Sequence, residues 1–462
     1  METVHLLTLG CPKNLVDSEL MLGALANAGY EISTDPASAQ VLIVNTCAFI
    51  EAAKKESIAA ILEAAELKMN APGRRLVVAG CMAQRYGAQL AEELPEVDIF
   101  IGTGNFLELP ELLRRTETPG LNFHRAGEGN DKPVPYVGGA HLLPQADAPR
   151  IVTGNFFTSY LKVSEGCNHK CAFCIIPRIR GAHESRPVAD VLDEGRRLAE
   201  GGVREINLIA QDLTAYGRDL TPRSSLAELL AGLNQIEALS WIRLLYCYPN
   251  FVNDALLEAV ANLPKVVKYI DMPLQHADDM ILCAMRRERS GDALRRLLER
   301  IRARVPQVAL RTSFIVGFPG ETEQAFCRLL DFVREQEFDR VGVFTYSREE
   351  GTSAYDLPGQ VPEREKRRRR AQLMEAQAEI SLRRNRALVG KEVQVLVEGQ
   401  IMGRATRMRG RTPWQAPEID GMVVLRGVAE PGEFVRARVN QALTYDLVAE
   451  VVGAGQSERC EQ

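Results

Sequence analysis

The run Ser164-Glu-Gly-Cys167-Asn-His-Lys-Cys171-Ala-Phe-Cys174-Ile-Ile-Pro177 decides how this chain is read. It holds three thiols within eight residues, a spacing short enough for one loop to wrap a single iron-sulfur cube. Thiolates are the ligands such clusters require. Three protein ligands for four irons leave one iron open to an exchangeable ligand, whereas a purely structural cluster usually closes all four positions. The competing assignment is zinc with His169 as the fourth ligand. Against it, structural zinc normally draws its ligands from two separated pairs.

Around this loop the chain alternates strand-like and helical stretches. Apolar runs fall at Tyr160 to Val163, Glu205 to Ala210, Ile242 to Leu245, Val267 to Ile270, Val308 to Phe314 and Arg340 to Phe344, with helical patterns such as Val188 to Glu200 and Glu323 to Glu335 between them. This rhythm predicts an α/β barrel, complete or partial, over residues 150–385, with its active site at the C-terminal strand ends. Gln211 with Asp212, and Gln275 with His276, fall at such ends and are candidates for binding, with loop capping as the competing role. Arg311, near the start of its strand, is read as structural.

A similar alternation fills residues 1–120: Val4 to Leu9, Leu15 to Ala28, Val41 to Asn45, Ile50 to Leu67, Arg75 to Ala79 and Ala83 to Leu94. It predicts strand and helix units on a parallel sheet. Cys11, Cys47 and Cys81 each stand just past a predicted strand. In an open parallel sheet those ends share one edge, where ligands bind, so three thiols distant in sequence can converge on a second cluster with an open iron. Cys247, Cys283, Cys327 and Cys460 stand alone and are read as small buried hydrophobes or, at the terminus, a tail thiol.

Residues 121–149, rich in Gly, Pro and Ala, predict a linker. The run Arg367 to Arg370 lies in a helix-like segment and is read as a solvated charged face. Beyond Gly390, short β-like runs such as Val393 to Val397 and Met422 to Leu425 predict a small β-barrel over 386–453, followed by a flexible tail at 454–462. The formal charge of −5 gives no overall basic field. No segment has the roughly 20 apolar residues needed to span a bilayer, and the start lacks a basic, apolar export signal, so a cytoplasmic protein is expected. Ten cysteines in 462 residues are few for a disulfide scaffold, which leaves them available to metal.

The three-then-two cysteine spacing at Cys167 resembles the radical-SAM superfamily. Leu9-Gly-Cys11-Pro-Lys-Asn-Leu-Val-Asp-Ser-Glu19, Val44-Asn-Thr-Cys47-Ala-Phe-Ile50 and Val78-Ala-Gly-Cys81-Met-Ala-Gln-Arg85 widen that likeness to essentially the whole chain. Together the motifs resemble the methylthiotransferase family, with a C-terminal barrel similar to a TRAM domain. The resemblance implies two 4Fe-4S clusters, one held by Cys11, Cys47 and Cys81 and the radical-generating one by Cys167, Cys171 and Cys174. It also implies S-adenosyl-L-methionine (SAM) used twice, as methyl donor and as source of the radical that opens a C–H bond. Gly317-Phe-Pro-Gly320 then becomes either a close backbone approach to SAM or a plain turn. Gln211 and Gln275 become candidates for SAM contact.

Family members modify either an adenosine of tRNA or an aspartate of a small-subunit ribosomal protein. Cys11 to Glu19 and Tyr346-Ser-Arg-Glu-Glu-Gly-Thr352 resemble the branch that modifies the β-carbon of an aspartate in small-subunit ribosomal protein twelve. Between residues 391 and 453 eight basic residues are matched by eight acidic ones, whereas a domain gripping RNA phosphates would be clearly basic. Arg404, Arg407, Arg409 and Arg411 leave a local patch open, so tRNA stays as the alternative substrate. An iron-sulfur module that only binds RNA or the ribosome is the non-enzymatic alternative. An external electron donor and a sulfur source are implied partners, with no membrane.

Overall fold

The computed structural model describes residues 1–116, 135–138, 143–287, 290–401 and 407–452. Its first sheet contains β1 (Thr3–Thr8), β2 (Glu31–Ile32), β3 (Val41–Thr46), β4 (Arg75–Gly80) and β5 (Ile99–Ile101), all parallel in the order β2-β1-β3-β4-β5. Central β3 reads Val-Leu-Ile-Val-Asn-Thr and is buried throughout, as a parallel strand covered on both faces requires. The connecting helices are α1 (Pro12–Asn27), α2 (Glu51–Met69), α3 (Cys81–Glu93) and α4 (Leu109–Thr116).

The central sheet begins at β6 (Thr158–Lys162). After it, the two-residue strands β7 (Ser164–Glu165) and β8 (Glu184–Ser185) pair antiparallel, enclosing the cysteine loop and helix α5 (Ile176–Arg180). Strands β9 (Glu205–Ile209), β10 (Trp241–Leu244), β11 (Val266–Asp271), β12 (Ala309–Val316) and β13 (Arg340–Thr345) continue it in sequence order, all parallel. The sheet is open, with β6 and β13 as edges, so the partial barrel is the form observed. Helices α6 (Val188–Glu200), α7 (Leu226–Asn234), α8 (Asp254–Asn262), α9 (Asp279–Ala284), α10 (Gly291–Arg304) and α11 (Glu323–Gln336) lie between and after its strands. One core joins this sheet to its helices through residues such as Leu208, Leu244, Leu298 and Phe332. Another joins Tyr160, Trp241 and Tyr269 to Val4 and Leu20 of the first domain and to Leu396 and Ala416 near the C-terminus.

Helix α12 (Glu363–Arg386) leads into a closed five-stranded barrel of β14 (Glu392–Gln400), β15 (Arg407–Arg411), β16 (Val423–Arg426), β17 (Phe434–Ala442) and β18 (Leu447–Val451). Alternating buried residues such as Val393, Val395 and Val397 fill it. Among the described residues, no helix is long and apolar enough to cross a membrane.

Several charged residues depart from their expected roles. The run at 367–370 is not simply a solvated face. Arg369 is buried and donates to the Glu321 carbonyl at 2.9 Å, while Arg370 donates to the Val343 carbonyl at 3.0 Å. Their long stems cover the sheet domain while their heads bind it. Arg411 does not belong to a surface patch either: it is 2% exposed and pairs at 2.5 Å with Glu205, which Arg243 also binds. Arg311 is structural, pairing with Asp271 at 2.7 Å, but it lies within β12 rather than opening it. Cys247 is buried, whereas Cys283 and Cys327 lie on outward faces of α9 and α11 and are exposed. Cys460, Arg404, the tail and much of the 121–149 segment lie outside the described residues.

Candidate active site: two cysteine trios at one domain boundary

Strands β1, β3 and β4 are neighbours in register, with Thr8 beside Asn45 and Asn45 beside Ala79. Cys47 and Cys81 directly follow their strands, and Cys11 follows β1 by three residues at the N-cap of α1. Parallel pairing therefore brings three cysteines separated by tens of residues to one edge. Gly10 permits the closest approach: a Cβ there would stand 2.8 Å from Cys47 Cβ, and its φ of +96° is one that glycine adopts without strain. Burial, followed by the nearby Cys81, pushes the Cys47 thiol up to about 12. Burial also raises Cys81, against the opposing pull of Arg180.

The second trio sits on a loop held from several sides. The Cys167 amide donates to the Gly181 carbonyl at 3.1 Å, and Ala172 bridges the Met285 carbonyl and the Ala354 amide. Gly166, with φ +75°, leaves only 1.9 Å between an added Cβ and the Ala182 carbonyl oxygen, so no larger residue fits there. Burial pushes Cys167 up to about 11 and, with Cys171, Cys174 up to about 12. The Arg287 guanidinium lies 3.6 Å from Cys171 Sγ.

His169 turns to other work than zinc. Its Nε2 lies 2.6 Å from Asp212 Oδ2, and its ring stacks on Tyr248 at 3.7 Å. Among the described residues, no three His, Cys, Asp or Glu side chains converge on a single-ion site. A tetrahedral zinc would draw its sulfurs to about 4 Å from one another. Each trio instead offers thiols alone, with a guanidinium against one sulfur, a donor set suited to an anionic iron-sulfur cluster.

Buried charges join the two sites. Arg180, at 2% exposure, donates to Asp17 Oδ2 at 2.7 Å, Glu165 Oε2 at 3.1 Å, Asn14 Oδ1 at 2.6 Å and Cys81 Sγ at 3.5 Å. Lys162 binds the same two carboxylates, and Gln211 donates to Glu165. One salt-bridge group thus links the helix after Cys11, the thiol of Cys81 and the turn before Cys167. Sequence pattern alone missed Asp17, Lys162, Glu165 and Arg180. Their signal was four charged residues close to the cysteine motifs.

The segment after β10 contacts residues that flank both trios. The Tyr246 ring receives the Lys13 ammonium 3.4 Å from its centroid, two residues from Cys11, while Tyr248 stacks on His169 and lies 4.2 Å from the Arg287 guanidinium. Although burial disfavours the Lys13 ammonium, Tyr246 and Cys11 outweigh it and its pKa is raised.

The other anticipated binding residues divide. Gln211 keeps a buried Oε1 with no hydrogen-bond partner among the described residues, and Asp212 accepts from His169 and caps Thr214. Gln275 sits at φ +73°, its backbone bridging β12. His276 is wholly buried between Glu321 and the Asp278 amide, a loop-fixing role. Gly317 donates to Glu321 and is covered by Lys366, whose Cγ would lie 2.2 Å from an added Cβ, whereas Gly320 has open space there.

Two thiol trios facing one boundary of an α/β sheet protein with a small C-terminal barrel define a class of iron-sulfur proteins. Family models agree in all three parts: Uncharacterized protein family UPF0004 at residues 3–102, the Radical SAM superfamily at 161–333 and the TRAM domain at 389–452. The fold resembles the radical S-adenosylmethionine methyltransferase TsrM from Kitasatospora setae, solved with cobalamin and a [4Fe-4S] cluster. That match has a TM-score of 0.53 and 16% identity over 77% of each chain.

Ribosomal protein uS12 methylthiotransferase RimO of Geobacter sulfurreducens is 48% identical over 98% of this chain and 99% of its own length. Its counterpart in Anaeromyxobacter sp. (strain Fw109-5) is 50% identical over 97% of this chain and 93% of its own. The chain belongs to the ribosomal protein uS12 methylthiotransferase RimO family.

Proposed function

We propose that the protein is a radical-SAM methylthiotransferase that adds a methylthio group to the β-carbon of an aspartate in ribosomal protein uS12. The observation that carries this is the pairing of two three-thiol sites at one boundary, coupled through Arg180 and the Tyr246 to Tyr248 segment. Breaking a C–H bond needs a radical source and making a C–S bond needs a sulfur carrier, so two adjacent sites suit the two halves of the reaction. Cys167, Cys171 and Cys174 would hold the cluster that works with SAM. Cys11, Cys47 and Cys81 would hold the second.

When bound, the clusters and SAM supply the radical and sulfur-transfer chemistry. The chain's own residues supply placement. Arg287 and Arg180 each place a guanidinium against one thiol of a trio, and Asp212 with Tyr248 fixes His169 and the loop that carries it. Gln211, with its unused buried oxygen, and Gln275 are proposed to contact SAM; Gly320, with open space at its Cα, and Gly317, through its backbone alone, are proposed to contribute as well. An external reductant and sulfur source complete the reaction, in the cytoplasm.

The test is mass spectrometry of small-subunit ribosomal proteins and of bulk tRNA from cells with and without the gene. Loss of a methylthio adduct from an aspartyl peptide of uS12 is expected. Loss of methylthio-adenosine from tRNA instead would overturn the choice of substrate while leaving the chemistry intact. The relatives' action on uS12 and the neutral C-terminal barrel favour the protein substrate.

A further inference from the structure

Lys13 is 92% buried, and among the described residues its ammonium makes no hydrogen bond and no ion pair. It rests only on the face of Tyr246, a residue of the other domain. The ammonium nitrogen itself is not sealed from solvent, so a carboxylate that arrives at this boundary can reach it and pair with it as water leaves.

Every carboxylate close by is already engaged. Glu165 is bound by Lys162, Arg180 and Gln211, Asp17 by Lys162 and Arg180, and Asp271 by Arg311 and the Tyr246 amide. Lys162 and Arg180 balance Asp17 and Glu165, so the charge of Lys13 is in excess of the carboxylates, and the other groups it faces are the Tyr246 ring and the Cys11 thiol. The excess charge lies on the first turn of α1, two residues from Cys11. Tyr246, against which it rests, is two residues from Tyr248, which contacts the loop of the other trio.

We propose that Lys13 is the specificity residue that pairs with the free carboxylate of the substrate side chain, holding it between the two cysteine trios. This rests on the reading of the protein as a methylthiotransferase of an aspartate and deepens it: what is recognised is the negative charge beside the carbon to be modified. An amide of the same shape, or an uncharged base, would leave the ammonium buried and unpaired. Tyr246 holds the lysine stem in place through its ring.

The experiment is a double-mutant cycle on binding. Purified uS12, and the same protein with its modified aspartate changed to asparagine, are titrated onto the iron-loaded holoenzyme and onto its Lys13→Gln and Lys13→Arg forms. For the natural enzyme, the asparagine form is expected to bind roughly thirtyfold more weakly, the loss that follows removal of one partner of a buried charge pair. For Lys13→Gln the two forms should differ by no more than about twofold, and Lys13→Arg should restore discrimination. Equal discrimination by natural enzyme and Lys13→Gln overturns the proposal. So does a fall in iron content in Lys13→Gln, which would assign the ammonium to the Cys11 site. If the natural holoenzyme modifies no aspartate of uS12, it is the underlying reading that fails, a result separate from either of these.

Discussion

Replacing Arg180 with methionine tests whether the two cysteine sites are held together as described. Methionine fills much of the volume and removes the charge. Asp17 and Glu165 then share one paired cation, Lys162, at 2.5 and 2.9 Å, so a neutral buried group of two cations and two anions becomes a group with one uncompensated negative charge. Asn14 Oδ1 and Cys81 Sγ also lose a donor. Breaking a buried ion pair from one side costs about 3–5 kcal/mol. Lys162 remains on both carboxylates, which puts the loss near about 3 kcal/mol. At about 2–4 °C per kcal/mol for units of this size, the melting midpoint of the first two domains should fall by about 6–12 °C. Iron content should fall as well, because Cys81 loses the cation that opposes the effect of its burial. Differential scanning calorimetry and an iron assay on the same preparation read both. Arg180→Lys should lie in between, since a single ammonium cannot span four acceptors. Unchanged melting and unchanged iron in Arg180→Met would refute the account of the charge group as the joint between the sites.

Three further outcomes are expected. Burial alone would lift the Glu205 carboxyl, but Arg411 and Arg243 more than offset it and hold it down at about 2. A depressed carboxyl contributes stability above its unfolded value and loses it as pH falls through the folded one. Arg411→Met should therefore be destabilised at pH 7 by about 3 kcal/mol, with the gap to the natural protein closing between about pH 4 and pH 2 in urea titrations. Gly166→Ala puts a Cβ against the Ala182 carbonyl at a left-handed backbone position, so it should lose the iron of the Cys167 site and keep that of the Cys11 site. Cys171→Ala and Cys47→Ala should each remove about half of the iron and sulfide, and the double variant nearly all; unchanged iron in Cys47→Ala would remove the second cluster.

Glu349 shows how a motif can be visible while its physical role is not. The stretch Tyr346 to Thr352 stands out in sequence by resemblance alone. In the fold, Glu349 is 1% exposed and binds Arg85 at 3.0 Å and Lys54 at 3.1 Å, while Arg85 also donates to the Ala48 carbonyl beside Cys47. The motif is a clamp that docks the first domain's cysteine edge on the second. Nothing in the spacing of Glu349 and Arg85, 264 residues apart, announces that pair.

The sequence by itself determined the alternation of strands and helices, because the period of apolar residues follows from whether one or both faces of an element are buried. All six anticipated strands of the central sheet appear, within a residue or two of their expected ends. It also determined the Cys167 loop, whose three thiols lie within eight residues of chain, and the strand-end placement of Cys11, Cys47 and Cys81, since parallel pairing aligns C-terminal ends. Only the tertiary structure decided which charges are buried. Arg411, Arg369, Arg180 and Lys13 resemble surface cations in a string of letters. Whether an arginine meets water or a carboxylate from another domain depends on contacts between segments hundreds of residues apart, and local pattern carries no record of them.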